Sequence, residues 1–307
     1  MLTELPNTYL LSEEQRQFYM DNGYLVIKGL FDFATLYNYK QRFLQFCKGI
    51  VDRGSILVVK EASLKAKGKT GEELINKLQD IHYDDVFMTY TEHPRLIDVV
   101  TQFIGPDILV MNSMFINKPS GSTRHPPHQD MFYFPFGPAE KIIAAWTAID
   151  DVNVENGCLY VIPQSHKRNI LYPHENIAAA NNMYHGIVDP AVTGQPPVQL
   201  EMSPGDTVFF HPLLVHGSGA NTSGEAHKST RIVMTQYNVG VRSQRHRKCI
   251  SAHYASAAVE FARAAPQGAL AREVEGVARK ITGARISFED TWRYKSKQVT
   301  VQPKSKL

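Results

Sequence analysis

The feature that most constrains the fold is His128-Gln129-Asp130 together with a distant histidine, His216. Residues two apart on a β-strand point to the same face, so His128 and Asp130 can present an imidazole and a carboxylate side by side. A histidine from a second strand can then complete one face of an octahedral metal site. The chain must therefore bring two segments that are far apart in sequence together as neighbours.

This set of side chains is typical of one class of metal site. Two histidines and one carboxylate form the facial triad of non-haem Fe(II) oxygenases, which leaves the opposite face of the metal open for a co-substrate and oxygen. Short motifs of this kind also arise by chance, so the three residues alone are a weak indicator. Two other histidines, His125 and His211, are poorer ligand candidates, because their spacing from the triad would place them on the wrong strand face.

The segment 106–254 has the composition of a β-rich core. Runs of β-branched and apolar residues are separated by turn-forming sequences such as Asn156-Gly157 and Pro204-Gly205-Asp206. Several short strands bounded in this way predict a sandwich or jelly roll, and the whole proposed triad falls inside it. The expected strands cover residues 108–116, 141–149, 158–163 and 207–210.

Helical patterns flank this core on both sides. Ser12-Glu13-Glu14-Gln15 is a capping box, so a helix should begin there and stop near Asn22-Gly23, before a strand over 24–28. Apolar spacing and Pro94 predict further helices over 33–51 and 94–103, and an amphipathic segment covers 273–280.

We therefore predict an α+β fold with a double-stranded β-helix (jelly-roll) core and flanking helices at both ends. One catalytic domain should cover 1–307, with a mainly helical part over 1–105, the core over 106–254 and C-terminal helices over 255–304.

Composition excludes several classes of protein. The 307 residues can bury one large core, and the net charge of +3 is too small to indicate nucleic-acid binding. An odd number of scattered cysteines fits a reducing compartment, and we expect neither a signal peptide nor a membrane span. The cysteines are Cys47, Cys158 and Cys249.

The chain ends in Ser305-Lys306-Leu307. A terminal tripeptide of this sequence is a peroxisomal address that an import receptor reads. The alternative is a solvated basic tail, but this tripeptide at this position would rarely occur by chance. We therefore expect the import receptor as a partner and the peroxisome as the location.

A facial-triad iron needs a bidentate co-substrate to prime oxygen. 2-Oxoglutarate chelates a metal through its keto acid, and its far carboxylate requires a cation, for which the planar fork of arginine is well suited. Two candidates follow His216, namely Arg231 and Arg247, and each precedes a run with strand composition.

Longer strings of residues are more specific than the triad. They include Arg124-His125-Pro126-Pro127-His128-Gln129-Asp130 and the segments 14–19, 22–28, 116–119, 133–136, 156–159, 205–214 and 216–219. In these strings the chain resembles the phytanoyl-CoA dioxygenase family over almost its whole length. The resemblance implies a double-stranded β-helix in which His128, Asp130 and His216 hold Fe(II), with ascorbate as a further cofactor. It also implies 2-oxoglutarate contacts from Lys77, Met114, Trp146 and Ser218.

The family arginine matches Arg247, because Lys248, Ile250 and Ser251 follow it as in the family. The chain departs from the family pattern just before this point. An extra segment, which we expect to loop out between residues 227 and 246, is either a real loop or an artefact of the gene model. Arg231 is therefore a rival for the 2-oxoglutarate carboxylate.

The expected activity is the Fe(II)- and 2-oxoglutarate-dependent 2-hydroxylation of a 3-methyl-branched fatty acyl-CoA, phytanoyl-CoA, in peroxisomal α-oxidation. Two alternatives are the same chemistry on another lipophilic substrate and a non-catalytic acyl-CoA-binding protein. Lys118 and Arg124 could meet CoA phosphates, although we expect solvated loop charges there. Without the resemblance, Trp146 would be assigned to the core and Lys77 to an exposed helix surface.

Overall fold

The computed structural model describes residues 8–177, 184–224, 246–261 and 268–299. The described helices are α1 (Glu13–Asn22), α2 (Phe33–Cys47), α3 (Ala62–Ala66), α4 (Asp85–Thr91), α5 (Pro94–Ile104), α6 (Pro190–Thr193), α7 (Gly268–Thr282) and α8 (Phe288–Lys295). The first eight strands are β1 (Tyr24–Ile27), β2 (Leu57–Lys60), β3 (Ile75–Gln79), β4 (Ile108–Pro119), β5 (His125–His128), β6 (Phe136–Gly137), β7 (Ile142–Ala148) and β8 (Leu159–Val161). They are followed by β9 (His174–Asn176), β10 (His185–Ile187), β11 (Val198–Leu200), β12 (Thr207–Phe210), β13 (His216–Ser218), β14 (His246–Ser256), β15 (Glu260–Phe261) and β16 (Lys297–Gln298).

Two antiparallel sheets form the core. The large sheet has the order β1-β12-β7-β14-β4-β3-β2, with β16 pairing with β4, and the small sheet has the order β11-β8-β13-β5. Side chains from both sheets meet in one buried apolar cluster, which includes Trp146 and Val208 from the large sheet and Leu159 and Val161 from the small one. The sheets therefore face each other, as in the predicted jelly roll.

The helices cover the outside of this sandwich. Residues of α2, α4 and α5 pack against the outer face of the large sheet, where the rings of Phe43 and Phe115 stack with their centroids 4.5 Å apart. At one end of the sandwich, Trp292 of α8 packs edge-on against Phe134, at 5.2 Å between centroids. Helices thus cover the apolar outer face of the large sheet and one end of the sandwich.

Most predicted elements are present. The capping box of α1 is formed, α2 and α5 follow as expected, and the segment 273–280 lies within α7. The predicted strands are found as β1, β4, β7, β8 and β12.

Two strands in the first hundred residues were not predicted. β2 and β3 extend the large sheet beyond β4, and Lys77 therefore lies on a strand and not on a helix surface. The sequence of β3, Ile-Asn-Lys-Leu-Gln, is too polar to indicate a strand by itself. Its pairing with the long strand β4 supplies the hydrogen bonds that its composition does not suggest.

Some expectations lie outside the described residues. They concern Arg231, the looped segment between 227 and 246, and the tripeptide Ser305-Lys306-Leu307. In the described ranges, no helix is both long enough and apolar enough to cross a membrane.

Candidate metal and co-substrate site

The two proposed histidine ligands lie on neighbouring strands of the small sheet. His128 ends β5 and His216 begins β13, and the two residues are directly paired in the antiparallel register. Their rings lie 4.2 Å apart between centroids. We had predicted that Asp130 lies on the same strand as His128. Instead, Asp130 begins a short 3-10 turn over Asp130–Tyr133. The turn is held by the amide of Met131, which donates to the carbonyl of Pro212 at 3.0 Å.

The three side chains converge on one point. The Nε2 atoms of His128 and His216 lie 3.5 and 3.7 Å from Oδ1 of Asp130, and the ligand atoms all lie within 4.8 Å of one another. Adjacent ligands of an octahedral metal are separated by about 3 Å, given metal–ligand bonds of roughly 2.1 Å. Small side-chain rotations would close the triad on a metal ion, and its two nitrogens and one oxygen suit Fe(II).

Hydrogen bonds fix which nitrogen of each histidine faces this point. The Nδ1 atom of His128 lies 2.9 Å from the carbonyl of Pro126, and that of His216 lies 3.0 Å from the carbonyl of Leu214. A carbonyl oxygen can only accept, so Nδ1 carries the proton and the Nε2 lone pair is available to a metal. Burial lowers the pKa of His216 to about 4, so the ring is neutral at neutral pH.

Asp130 is held from its other side by a histidine that the sequence analysis did not identify. The Nε2 atom of His253 lies 2.8 Å from Oδ2 of Asp130, and the amide of Asn112 lies 3.5 Å from Nδ1 of His253. Burial alone would raise the pKa of Asp130. The neighbouring histidines nevertheless hold the pKa well below its usual range, chiefly His253, whose Nε2 donates to the carboxylate.

Gln129, between the first two ligands, anchors this stretch of backbone. Its fully buried side chain donates to the carbonyls of Ile170 and Leu213, at 2.9 and 2.7 Å, and accepts from the amide of Tyr172 at 2.9 Å. All the polar atoms of the amide group are therefore used, which fixes the direction of the chain on which the ligands lie.

Four of the proposed 2-oxoglutarate residues lie on the large sheet, opposite the triad, and the fifth, Ser218, lies on β13 of the small sheet. Met114 and Trp146 pair with Ser251 from its two sides, so all three point to the same face. Arg247 points to that face as well, because it lies four residues before Ser251 on the same strand. So does Lys77, which lies two residues before Gln79, the residue of β3 that pairs with Met114. Burial lowers the pKa of the Lys77 ammonium to about 8.

Arg247 is one of the most deeply buried side chains of the described structure. It is 2% exposed, its Nη2 donates to the carbonyl of Gly157 at 2.7 Å, and its Cζ lies 5.3 Å from the ring centre of Trp146. Its Nε–H has no hydrogen-bond partner among the described residues. A buried guanidinium with an unused donor is suited to receive a carboxylate.

Lys118 is a correction to the sequence analysis, which placed it in a solvated loop. It lies on β4, is 5% exposed, and its Nζ donates to Oγ of Ser218 at 3.1 Å. The burial arises because β4 runs to Pro119, so Lys118 still points between the sheets. Arg124 is exposed.

The other two histidines are not part of the triad. His125 packs edge-on against the ring of His128, at 4.4 Å between centroids, and His211 packs near His166 at 5.3 Å. The candidate metal group contains neither of them. The large sheet therefore brings Lys77, Met114, Trp146 and Arg247 to one side, facing the triad and Ser218 on the small sheet.

Comparisons with known proteins identify a matching family and similar sequences. The family described as Phytanoyl-CoA dioxygenase (PhyH) matches residues 19–229 of the chain. The peroxisomal phytanoyl-CoA dioxygenase of Rattus norvegicus is 37% identical over 302 residues, which cover 94% of this chain and 83% of that protein. A probable phytanoyl-CoA dioxygenase of Caenorhabditis elegans is 38% identical over 313 residues, covering 94% and 93%.

Solved structures confirm the fold. The structure of EctD from S. alaskensis with 2-oxoglutarate and 5-hydroxyectoine superimposes with a TM-score of 0.60. It is 18% identical and covers 87% of this chain and 85% of its own. At this identity the likeness concerns the fold alone, which is the double-stranded β-helix that the sequence predicted.

Proposed function

The chain belongs to the phytanoyl-CoA dioxygenase family, and from this we propose that it is an Fe(II)- and 2-oxoglutarate-dependent oxygenase. Its substrate would be a 3-methyl-branched fatty acyl-CoA, phytanoyl-CoA, which it would hydroxylate at C2 in peroxisomal α-oxidation. The whole chain would act as one catalytic domain.

One observation carries this proposal. The buried triad of His128, Asp130 and His216 presents its ligand atoms within 4.8 Å of one another, and both histidines turn Nε2 toward the shared point. On the facing sheet, the guanidinium of Arg247 has a free donor for a carboxylate. A chelating keto acid with a second carboxylate fits between these two groups.

In this reaction, iron bound to the triad would supply oxygen activation coupled to the oxidative decarboxylation of 2-oxoglutarate. The overall reaction joins acyl-CoA, 2-oxoglutarate and O2 to give 2-hydroxyacyl-CoA, succinate and CO2, so one oxygen atom enters each organic product. Asp130 would contribute the one anionic ligand, and Arg247 would hold the far carboxylate so that the keto acid points at the metal. Ascorbate would keep the iron reduced.

Aromatic side chains beside the triad support an apolar substrate. Tyr133 follows Asp130 in the 3-10 turn, and its ring lies 6.2 Å from that of His128. Phe134 packs 5.3 Å from His253. Such a wall favours a hydrocarbon chain at the reacting position and excludes water from it. The names of the rat and other relatives support a peroxisomal location.

The test is a substrate panel with purified full-length protein. Anaerobically loaded Fe(II) enzyme is mixed with 2-oxoglutarate, ascorbate, O2 and phytanoyl-CoA, free phytanic acid or palmitoyl-CoA, and succinate and hydroxylated product are quantified. We expect 2-hydroxyphytanoyl-CoA and succinate in equal amounts. Asp130→Ala should abolish both, whereas Asp107→Ala, at an exposed aspartate outside the triad, should not.

The panel also separates the alternatives. Succinate formed equally with and without phytanoyl-CoA, and no hydroxylated product, would indicate another lipophilic substrate. Acyl-CoA binding with no succinate under any condition would indicate a non-catalytic binding protein.

A further inference from the structure

Two cationic side chains lie next to each other in the interior of the sandwich. Lys118 and Arg247 are paired across β4 and β14, and they are 5% and 2% exposed. Neither is paired with a carboxylate among the described residues. A buried charge without a counter-charge is strongly unfavourable, and two adjacent cations add mutual repulsion. The arrangement is therefore suited to binding an anionic ligand that supplies the counter-charge.

Both side chains end at the same small space, beside Gly157. The carbonyl of Gly157 accepts from Arg247, and a Cβ at this glycine would lie 3.0 Å from Cε of Lys118. Gly157 has φ +82°, a left-handed conformation that favours glycine, so the turn can approach both cations closely.

Each cation keeps donor capacity in this space. The ammonium of Lys118 has three N–H donors, and the structure shows one hydrogen bond from it, to Ser218. Arg247 uses Nη1 and Nη2 on Cys249 and Gly157, while Nε has no partner in the described part of the chain.

We propose that Lys118 is a second cation for the far carboxylate of 2-oxoglutarate, acting beside Arg247. The proposal rests on the function proposed above and adds a binding residue to it. Arg247 supplies a planar fork, while Lys118 supplies a compact charge whose position is set by Ser218. The ligand in turn supplies the negative charge that this pair of residues lacks.

The electrostatics of the ligand-free site agree with this role. Burial and the neighbouring charge of Arg247 lower the pKa of Lys118 to about 7. A carboxylate at hydrogen-bonding distance would favour the protonated form again.

The test compares two keto acids on Mn(II)-loaded protein without oxygen, by isothermal titration calorimetry. 2-Oxoglutarate carries the far carboxylate, and 2-oxobutanoate carries only the chelating end. Lys118→Met should raise the Kd of 2-oxoglutarate by roughly tenfold or more and leave that of 2-oxobutanoate unchanged. Lys60→Met, at an exposed lysine of β2, should change neither.

Thermal unfolding without ligand provides a second measurement. Lys118→Met should unfold at the same or a higher temperature than the unmodified chain, because it removes an unpaired buried cation. An unchanged Kd for 2-oxoglutarate, equal weakening of both keto acids, or a marked loss of thermal stability would each overturn the proposal. If the unmodified Mn(II) protein binds neither keto acid, the proposed function itself fails, and this inference fails with it.

Discussion

The imidazole of His253 donates to Oδ2 of Asp130 at 2.8 Å, while Oδ1 of the same carboxylate faces the two histidine ligands. This hydrogen bond belongs to a longer series of hydrogen bonds. Lys295, at the end of α8, donates to the side-chain oxygen of Asn112 at 3.3 Å, and the amide of Asn112 faces His253. Helix α8 is thereby connected to Asp130, a proposed metal ligand, through polar contacts between side chains.

These hydrogen bonds predict that His253 contributes to metal affinity without contacting the metal. His253→Phe keeps a ring but removes the donor, so Asp130 loses its orientation, and the Kd for Fe(II) or Mn(II) should rise roughly 10- to 100-fold. Metal titration by calorimetry measures the change. Lys295→Met, two contacts further away, should have a smaller effect in the same direction. Equal metal affinity in His253→Phe and the unmodified chain would contradict the positioning role.

Arg247→Lys tests the carboxylate clamp. The substitution keeps the charge but loses the planar fork, so the KM for 2-oxoglutarate should rise by roughly tenfold or more, with a smaller change in kcat. Steady-state kinetics with varied 2-oxoglutarate measure this. Arg231→Lys is the matched comparison and should have almost no effect. A large KM change in Arg231→Lys with a silent Arg247→Lys would reverse the assignment.

The grouping of His128, Asp130 and His216 could be predicted from the sequence because a facial triad depends on a short motif and one distant histidine. The residues that hold them in place could not be predicted from the sequence. His253 and Gln129 act through hydrogen bonds that exist only after β14 and the loops around 170 and 213 have come together. Neither residue has a local sequence signal of such a role, because the hydrogen-bond partners are distant in sequence.

The fold could be predicted where composition and tertiary structure agree. Strands such as β7 and β12 are apolar throughout, and the capping box of α1 is a local signal. Strand β3 is polar and forms because β4 and β2 offer it partners on its two sides. The same long strand explains why Lys118 was misassigned, since the expected strand ended at residue 116 whereas β4 runs to Pro119.

Phe115 offers a test of the outer layer of the core. Its fully buried ring stacks on Phe43, on the face of β4 that points away from the site. Phe115→Ala should lower the free energy of unfolding by about 3–5 kcal/mol. Phe33→Ala, at a phenylalanine that is 66% exposed, should cost less than about 0.5 kcal/mol. Urea denaturation followed by circular dichroism compares the two, and similar losses would contradict the packing described.

The pKa of Lys118 predicts a pH dependence of co-substrate binding. Its pKa lies near 7 in the free protein, below the ordinary 10.5, through burial and Arg247, with Glu61 and Cys249 opposing. Because a bound carboxylate raises this pKa, binding should take up a proton above pH 7, and affinity for 2-oxoglutarate should fall as pH rises. Calorimetry in buffers of different ionisation enthalpy measures the uptake. Lys118→Met should abolish it, and a proton count of zero in the unmodified chain would contradict this prediction.

The terminal tripeptide predicts the location. If the tripeptide directs import, as we expect from the sequence, deleting Ser305-Lys306-Leu307 from a fluorescently tagged chain should move the protein from peroxisomes to the cytosol. Activity of the purified deletion variant should be close to normal. Lys304→Ala, one residue upstream, should leave the punctate pattern in place. Punctate fluorescence after the deletion would indicate another import route.

The two facing sheets divide the candidate site between them. His128 and His216 lie on the small sheet, and Lys118 and Arg247 lie on the large one. Packed sheets are about 10 Å apart, so this distance restricts the length of any molecule that must contact residues of both sheets. A diacid one carbon shorter than 2-oxoglutarate would leave one end short of its partner, and one carbon longer would have to buckle. On the proposed function, the core that stabilises the fold would thus also select the co-substrate by length.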